Sequence, residues 1–273
     1  LLVVFIFIMV PIAYAQSDDL YETVLENNNT ARGRYLNPED CLEIYADDSI
    51  FSTAFKVTQN AKSDYEKVRL IHDWVAENIY YDYDFYNGKK ATTAFEPTDV
   101  INSKYSVCEG YASLTMALLR SAGIPCIVVS GYALGESTQG EWTSSIINTS
   151  QTNHAWNEAY ADGRWIVIDV TWDSGNRFEN GKFIKEGIVS KYFDVSDEIL
   201  AMDHLIVRRE STVKEGDILT EGDFKYYIEN GAATVVDWTK KNDYMSYDLI
   251  IPSELGGFPV FIIADNVFEG VSI

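Results

Sequence analysis

Three side chains in this sequence could together make a carbonyl carbon change partners: the thiol of Cys108, the imidazole of His154 and the carboxylate of Asp169. A thiolate is a strong nucleophile, an imidazole can pass a proton to a leaving amine, and a carboxylate can hold that ring in one tautomer and support its charge. Cys108 lies in Ser106-Val107-Cys108-Glu109-Gly110-Tyr111-Ala112, where a loop turns into a helix. The spacing of Tyr111, Leu114, Ala117 and Leu118 predicts a helix over residues 109–122 with one buried face, stopped by Gly123 and Pro125. A cysteine in the first turn sits beside unpaired N–H groups and the positive end of the helix dipole, which favours thiolate, while Glu109 pushes weakly the other way. A lone cysteine before a helix is more often a small buried hydrophobe, so the case needs a base.

The base is offered by Asn153-His154-Ala155-Trp156 and the acid by Trp165-Ile166-Val167-Ile168-Asp169-Val170-Thr171-Trp172, with Ala161-Asp162-Gly163-Arg164 between them. Asp-Gly between two aromatic and β-branched runs predicts a tight hairpin. Closed symmetrically on Asp162-Gly163, that hairpin pairs Tyr160 with Trp165, Trp156 with Asp169 and His154 with Thr171. His154, Trp156, Val167, Asp169 and Thr171 then share one face, with His154 and Asp169 as diagonal neighbours about 7–8 Å apart. A slip of one residue would send them to opposite faces. Asp173 is the alternative orienting acid if the register slips by two. Each residue also has a structural reading: a hydrogen-bonded sheet histidine for His154 and a strand-end turn former for Asp169.

Cys108-Glu109-Gly110-Tyr111-Ala112 with Ala122-Gly123-Ile124-Pro125, then Asn153-His154-Ala155-Trp156, then Trp165-Ile166-Val167-Ile168-Asp169-Val170-Thr171 resemble the core of the transglutaminase-like superfamily. The resemblance covers residues 64–173 and extends more loosely to His204. It implies a papain-like α+β fold, a helix carrying the cysteine packed on an antiparallel sheet carrying the histidine and aspartate, with Cys108, His154 and Asp169 in the catalytic positions. It leaves the reaction open, since the family includes crosslinking transglutaminases, peptidases, deglycosylating amidases and members without a triad.

Around these motifs, Ser63-Asp64-Tyr65-Glu66 is a capping box opening a scaffold helix with Val68, Ile71, Val75 and Ile79 on one stripe. His72 on that helix reads as structural, and so does His204 in the competing Asp203-His204 pair. The run Tyr80-Tyr81-Asp82-Tyr83-Asp84-Phe85-Tyr86 suits the wall of a substrate groove, or equally a core after a helix. One of its hydroxyls is a candidate second oxyanion donor beside the Cys108 backbone N–H, without a choice among them. Residues 96–105 read as a helix or turn leading to the nucleophile, and residues 126–133 as a buried strand. Residues 135–152 form a polar loop that is either a rim over the cleft or a surface insertion. Residues 191–197 read as a strand entering a short helix.

With 21 basic against 42 acidic residues, a net charge of −21 and no basic patch, nucleic acid and anionic membrane surfaces are poor partners. The apolar run over residues 1–10, followed by Ala13 and Ala15, reads as a signal peptide over residues 1–15, expected to be incomplete at its start and too short to span a bilayer. Export would place Cys41, Cys108 and Cys126 in an oxidising compartment, where Cys108 is the candidate free thiol and Cys41 and Cys126 could pair, the alternative being that Cys126, at the start of a buried strand, is simply core. No Cys/His cluster has metal-ligand spacing, and no cofactor is expected. Residues 16–60 read as a variable lead-in, with a short helix from Pro38 through Ile44, residues 61–207 as the catalytic domain, and residues 208–273 as a β-rich module. Within that module Tyr226-Tyr227-Ile228 and Ala233-Thr234-Val235-Val236 flank a hairpin turn. Leu249-Ile250-Ile251-Pro252, Gly256-Gly257-Phe258-Pro259-Val260 and Ile263-Ala264-Asp265-Asn266-Val267-Phe268-Glu269-Gly270 resemble the opening unit of a BspA-like leucine-rich repeat array. One such unit cannot bury its own face, so the array is expected to continue past Ile273 and to bind a cell-surface or host-protein ligand. The expectation is a secreted or surface-attached cysteine enzyme acting on protein or peptide amides, with hydrolysis favoured over acyl transfer. The alternative is a catalytically inactive adhesion protein.

Overall fold

The structure is a computed structural model that describes residues 11–33, 36, 38–135, 140–209, 218–229, 232–238 and 250–263. The chain divides into two compact units, residues 1–31 with 41–210 and residues 32–40 with 211–273. The first unit contains α1 (Pro11–Gly33), α2 (Asp48–Thr58), α3 (Asp64–Asn78), β1 (Tyr80–Asp82), α4 (Tyr83–Tyr86), α5 (Pro97–Ser103), β2 (Tyr105–Ser106) and α6 (Cys108–Ser121). It continues with β3 (Cys126–Ala133), α7 (Ser144–Ile147), β4 (His154–Ala161), β5 (Arg164–Ile168), α8 (Val170–Asp173), β6 (Arg177–Glu179), β7 (Lys182–Ile184), α9 (Asp197–Leu200) and β8 (His204–Arg209). An antiparallel sheet runs in the order β5-β4-β3-β8, and a smaller one in the order β2-β1-β6-β7. The fold is α+β, with the helix that begins at Cys108 packed on the antiparallel sheet, as expected.

Periodicity accounts for this packing. On α6 the stripe Tyr111, Leu114, Ala117 and Leu118 is buried, and it meets Ala159, Ile166 and Ile168 of the sheet in one core with the α3 stripe Val68, Ile71, Val75 and Ile79. Each fully buried leucine there contributes about 2 kcal/mol of transfer free energy. Ser63 caps α3 by accepting the Glu66 N–H at 3.1 Å. Glu66 itself reaches Lys62 N at 2.7 Å, one residue before the partner a capping box prescribes.

The hairpin closes on Asp162 (φ 49°) and Gly163 (φ 87°), the two left-handed residues of a type I′ turn. Tyr160 faces Trp165 and Asn157 faces Ile168, the predicted register. The ladder then stops. The predicted pairs Trp156–Asp169 and His154–Thr171 do not form, because Asp169 leaves the strand and caps α8, accepting Trp172 N–H at 3.1 Å. A local side-chain cap has displaced two further rungs of sheet.

Four other expectations differ from the structure. Residues 16–60 hold most of α1 and all of α2, two α-helices that the sequence pattern does not signal. Val24 of α1 packs with Ile147, Ala201 and Leu205, and Asp47 caps α2 through Ser49 N and Ile50 N. The turn at Pro38–Cys41 is a 3-10 helix that ends short of Ile44. No disulfide joins Cys41 to Cys126: both thiols are buried, and the Cys126 thiol donates toward Ile127 O at 3.6 Å. Of the strand expected near residue 193, a single bridge from Phe193 to Ile168 forms.

The second unit contains β9 (Leu219–Glu221), β10 (Phe224–Glu229), β11 (Ala232–Trp238), β12 (Glu254–Leu255) and β13 (Phe258–Ile263) in the order β12-β13-β11-β10-β9. The expected β10–β11 hairpin is present, and Phe224, Tyr226, Val235 and Trp238 form its core. Residues 264–270 of the repeat-like segment and residues 1–10 of the signal-like run lie outside the described residues. Among the described residues no helix is long and apolar enough to cross a membrane.

Candidate active site

Cys108 is the first residue of α6 and is partly exposed. The residue before it, Val107, is extended and provides no side-chain cap, so the first-turn N–H groups are not claimed by a side chain. Gly110 fixes how the helix start sits. A Cβ there would lie 2.6 Å from Ser106 Cβ and 2.9 Å from Ala94 O, closer than real Cβ atoms approach. Ser106 in turn donates a hydrogen bond to Ala94 O, tying both segments against the turn that carries the thiol.

His154 opens β4 opposite Gly131 of β3. Asn157, three residues on and on the opposite face of β4, donates to Ala112 O at 3.0 Å and Ile127 O at 3.2 Å, stitching the sheet to α6. His154 Nε2 lies 2.6 Å from Asp169 Oδ2, and the Cys108 side chain lies near enough to the same ring to help raise its pKa, with Nδ1 the nitrogen that Asp169 leaves open to a thiol. Burial works against a charged ring here. The Asp169 charge and hydrogen bond, with smaller contributions from Cys108, outweigh it and raise the His154 pKa well above its ordinary value. Asp169 is likewise buried, yet the two imidazoles beside it hold its carboxyl below the usual range. The sequence-predicted Cys108, His154 and Asp169 are therefore brought together, with the imidazole hydrogen-bonded to the carboxylate and the thiol beside the ring.

Asp173, the alternative acid, is elsewhere. It accepts Lys191 N–H at 2.8 Å and Tyr192 N–H at 3.0 Å and faces His72 Nε2 at 3.1 Å, so it ties α3 to the segment after α8. His72, flanked also by Asp73 at 2.9 Å, is a buried structural histidine, as read from its helix.

His204, read as structural from the sequence, reaches the Asp169 carboxylate. Its Nε2 lies 3.1 Å from Asp169 Oδ2, the oxygen that serves His154, and its Nδ1 lies 2.7 Å from Asp203 Oδ1. Asp203 accepts the Tyr192 hydroxyl at 2.5 Å, and Lys191 Nζ reaches that hydroxyl at 2.6 Å. Strand β3 places the two histidines, since Gly131 pairs with His154 and Ala133 with His204. Gly131 also leaves room for the Trp156 ring, whose Cζ3 would be 2.8 Å from a Cβ at that position. The sequence marks the Asp203-His204 pair, but nothing local in it points to Asp169.

His154, Asp169 and His204 bring three donor atoms within 4.8 Å of one another. A tetrahedral metal held at about 2.0–2.1 Å from each would need those donors roughly 3.3 Å apart. The observed 2.6 and 3.1 Å fit shared protons instead.

A cleft of about 540 Å³ opens beside His154, lined by Tyr81, Tyr83, Tyr86, Asn153, Trp172 and Arg177 among others. The aromatic run after α3 thus contributes a wall. Asp82 anchors it from below, buried and held by Lys90 Nζ and Thr93 Oγ1, each at 2.6 Å. Burial, and then the nearby Cys108 charge, raise the pKa of the Tyr81 hydroxyl, so it stays a donor facing the thiol's surroundings.

Residues 52–170 match a family model described as the transglutaminase-like superfamily. The mouse (Mus musculus) kyphoscoliosis peptidase is 39% identical over 117 residues, 43% of this chain and 17% of that protein. The human (Homo sapiens) kyphoscoliosis peptidase is 34% identical over 146 residues, 54% of this chain and 20% of that protein. The chain therefore spans a fifth or less of the length of these relatives. Among solved structures, the periplasmic domain of TgpA from Pseudomonas aeruginosa is 21% identical, covers 52% of this chain and 50% of that one, and superposes with a TM-score of 0.38. The segment that matches the transglutaminase-like model, residues 52–170, contains Cys108, His154 and Asp169.

Proposed function

We propose that this protein is a cysteine-nucleophile enzyme that opens amide bonds of proteins or peptides through an acyl-enzyme, with hydrolysis favoured over transfer to an amine. The observation that carries this reading is the hydrogen-bonded His154–Asp169 pair beside Cys108, with the thiol set at a helix start that has no side-chain cap and the imidazole lining an aromatic cleft. The Cys108 thiolate attacks the amide carbonyl, and the oxyanion that forms is met by the Cys108 backbone N–H and the Tyr81 hydroxyl. His154, as imidazolium, gives its proton to the departing amine while the C–N bond breaks, leaving a thioester on Cys108. Water attacks the thioester, His154 takes its proton, and the acid leaves as the C–S bond breaks, which restores the Cys108 thiolate beside the imidazolium. A bound primary amine in place of water would give transfer. The peptidase names of the aligned relatives support the hydrolytic form, and the repeat-like C-terminal sequence supports a tethered role outside the cell.

The test is to incubate the full chain and its Cys108→Ala variant with unfolded protein substrates, with and without a primary amine, and to read new termini, amine adducts and acyl-Cys108 by mass spectrometry. New termini without adducts support hydrolysis, and adducts support transfer. Neither product above the Cys108→Ala background would remove the proposal.

A further inference from the structure

The Asp169 carboxylate uses one oxygen, Oδ2, for two imidazoles, at 2.6 Å from His154 and 3.1 Å from His204. We propose that His204 is a positioning residue of the site, one that shares the Asp169 carboxylate with His154 and, as a second imidazolium, limits how tightly His154 holds its proton. This rests on the reading of Cys108, His154 and Asp169 as the reacting machinery.

Hydrogen-bond chemistry fixes the state of His204. Both of its ring nitrogens face carboxylate oxygens, Asp203 Oδ1 at 2.7 Å and Asp169 Oδ2 at 3.1 Å, and an ionised carboxylate can only accept. Burial would favour a protonated acid at either place. Asp203 also accepts the Tyr192 hydroxyl and has Lys191 Nζ 3.5 Å away, while Asp169 also accepts Trp172 N–H and faces His154, so each acid is held as an acceptor by groups other than His204. Each ring nitrogen of His204 therefore carries a proton. Among the described residues, the charged and titratable groups facing it are Asp169 from the β5–α8 junction, Asp203 from the turn before β8, Tyr192 from the segment before α9 and His154 from β4, with Lys191 Nζ behind Asp203 at 3.5 Å. From α1 it meets an uncharged group, Asn28, whose amide donates to the His204 backbone carbonyl at 2.8 Å. Trp172 and Trp156 close the remaining sides, with ring centroids at 4.5 and 5.1 Å.

The consequence follows from Coulomb's law in a dry site. His154 must give a proton to the leaving amine and later take one from water, so it has to pass between two charge states. A buried carboxylate devoted to it alone would trap it as imidazolium. A second positive ring whose centroid lies 5.5 Å from that of His154 divides the pull of Asp169 and repels the His154 charge.

The experiment is the pH dependence of Cys108 alkylation by iodoacetamide, followed residue by residue into the alkaline range, in which the upper inflection reports loss of the His154 proton. In His204→Gln the amide can still donate to Asp169, so position is kept while the charge is lost. The upper inflection should then move upward by about one pH unit. Mere damage to the site would loosen Asp169 and move it downward. An unchanged or lowered inflection overturns the inference. His154→Ala separates the two readings: if it leaves alkylation of Cys108 unaltered, the proposed function itself fails. Should His204→Gln not fold, heteronuclear NMR of the ring nitrogens in the wild-type protein decides, since the chain has only 3 histidines to assign. Both nitrogens of His204 protonated at neutral pH is the expected result, and a bare ring nitrogen on His204 overturns it.

Discussion

Replacing Asp169 by Asn would take a buried charge from between two rings and leave the shape almost unchanged. The His154 and Asp169 side chains are 6% and 1% exposed, so solvent screens their interaction little. A hydrogen bond to a charged group is worth about 1.5–3 kcal/mol, and breaking a buried pair costs roughly 3–5 kcal/mol. Since the amide of Asn still has one acceptor for one ring, the expected loss of stability is about 3 kcal/mol. Its pH dependence has a definite sign. The folded pKa of His154 is raised, so the stability it contributes is complete below its ordinary value of 6.5 and fades as pH rises through the raised one. The folded pKa of Asp169 is depressed, so its contribution is complete above its ordinary value of 3.8 and fades as pH falls through the lowered one. The stability gap between wild type and Asp169→Asn should be widest between those two values. Urea unfolding followed by tryptophan fluorescence, with Trp156 and Trp172 packed on the imidazoles, measures the gap at one pH inside that window and one well into the alkaline range. A gap that is equal at both, or wider in alkali, would refute an ion pair at the centre of the site.

Two further substitutions test how the machinery is held. Gly110→Ala puts a Cβ against Ser106 and Ala94 and should cost about 1–3 kcal/mol in a thermal melt, with slower alkylation of Cys108 because the helix start must shift. Asn28→Ala leaves the His204 carbonyl and the Ile206 N–H, each now bonded at 2.8 Å, without these partners. It should cost roughly 2–4 kcal/mol in urea unfolding and speed hydrogen exchange at Ile206, and an unchanged exchange rate would contradict that account.

Much of the site was legible because its signals are local. A periodic stripe after Cys108 located the helix, and Asp162-Gly163 set the register that brings β4 and β5 together. The end of that ladder was not legible, since the pleat pattern continues through Asp169 while its side chain takes Trp172 N–H as a helix cap. Helix α1 was missed for another reason. Its sequence is mostly polar, and its buried positions include Asn28, which reads as surface until the edge strand it binds is known. The partnership of His204 with Asp169 depends on β8 lying against β3, a pairing between distant segments that no short-range pattern encodes. Cys41 and Cys126 show the same limit, because counting thiols says nothing about whether two buried ones meet.

The amide of Asn28 spans two backbone groups of β8, His204 O and Ile206 N, and so joins a helix near one end of the unit to a strand near the other. Neither of these lies within residues 52–170, where the sequence kinship is recognisable. An excised polypeptide trimmed to that recognisable stretch would keep the sulfur, the ring and the acid but lose the brace behind them. Domain transplants into other enzymes should therefore carry both flanks.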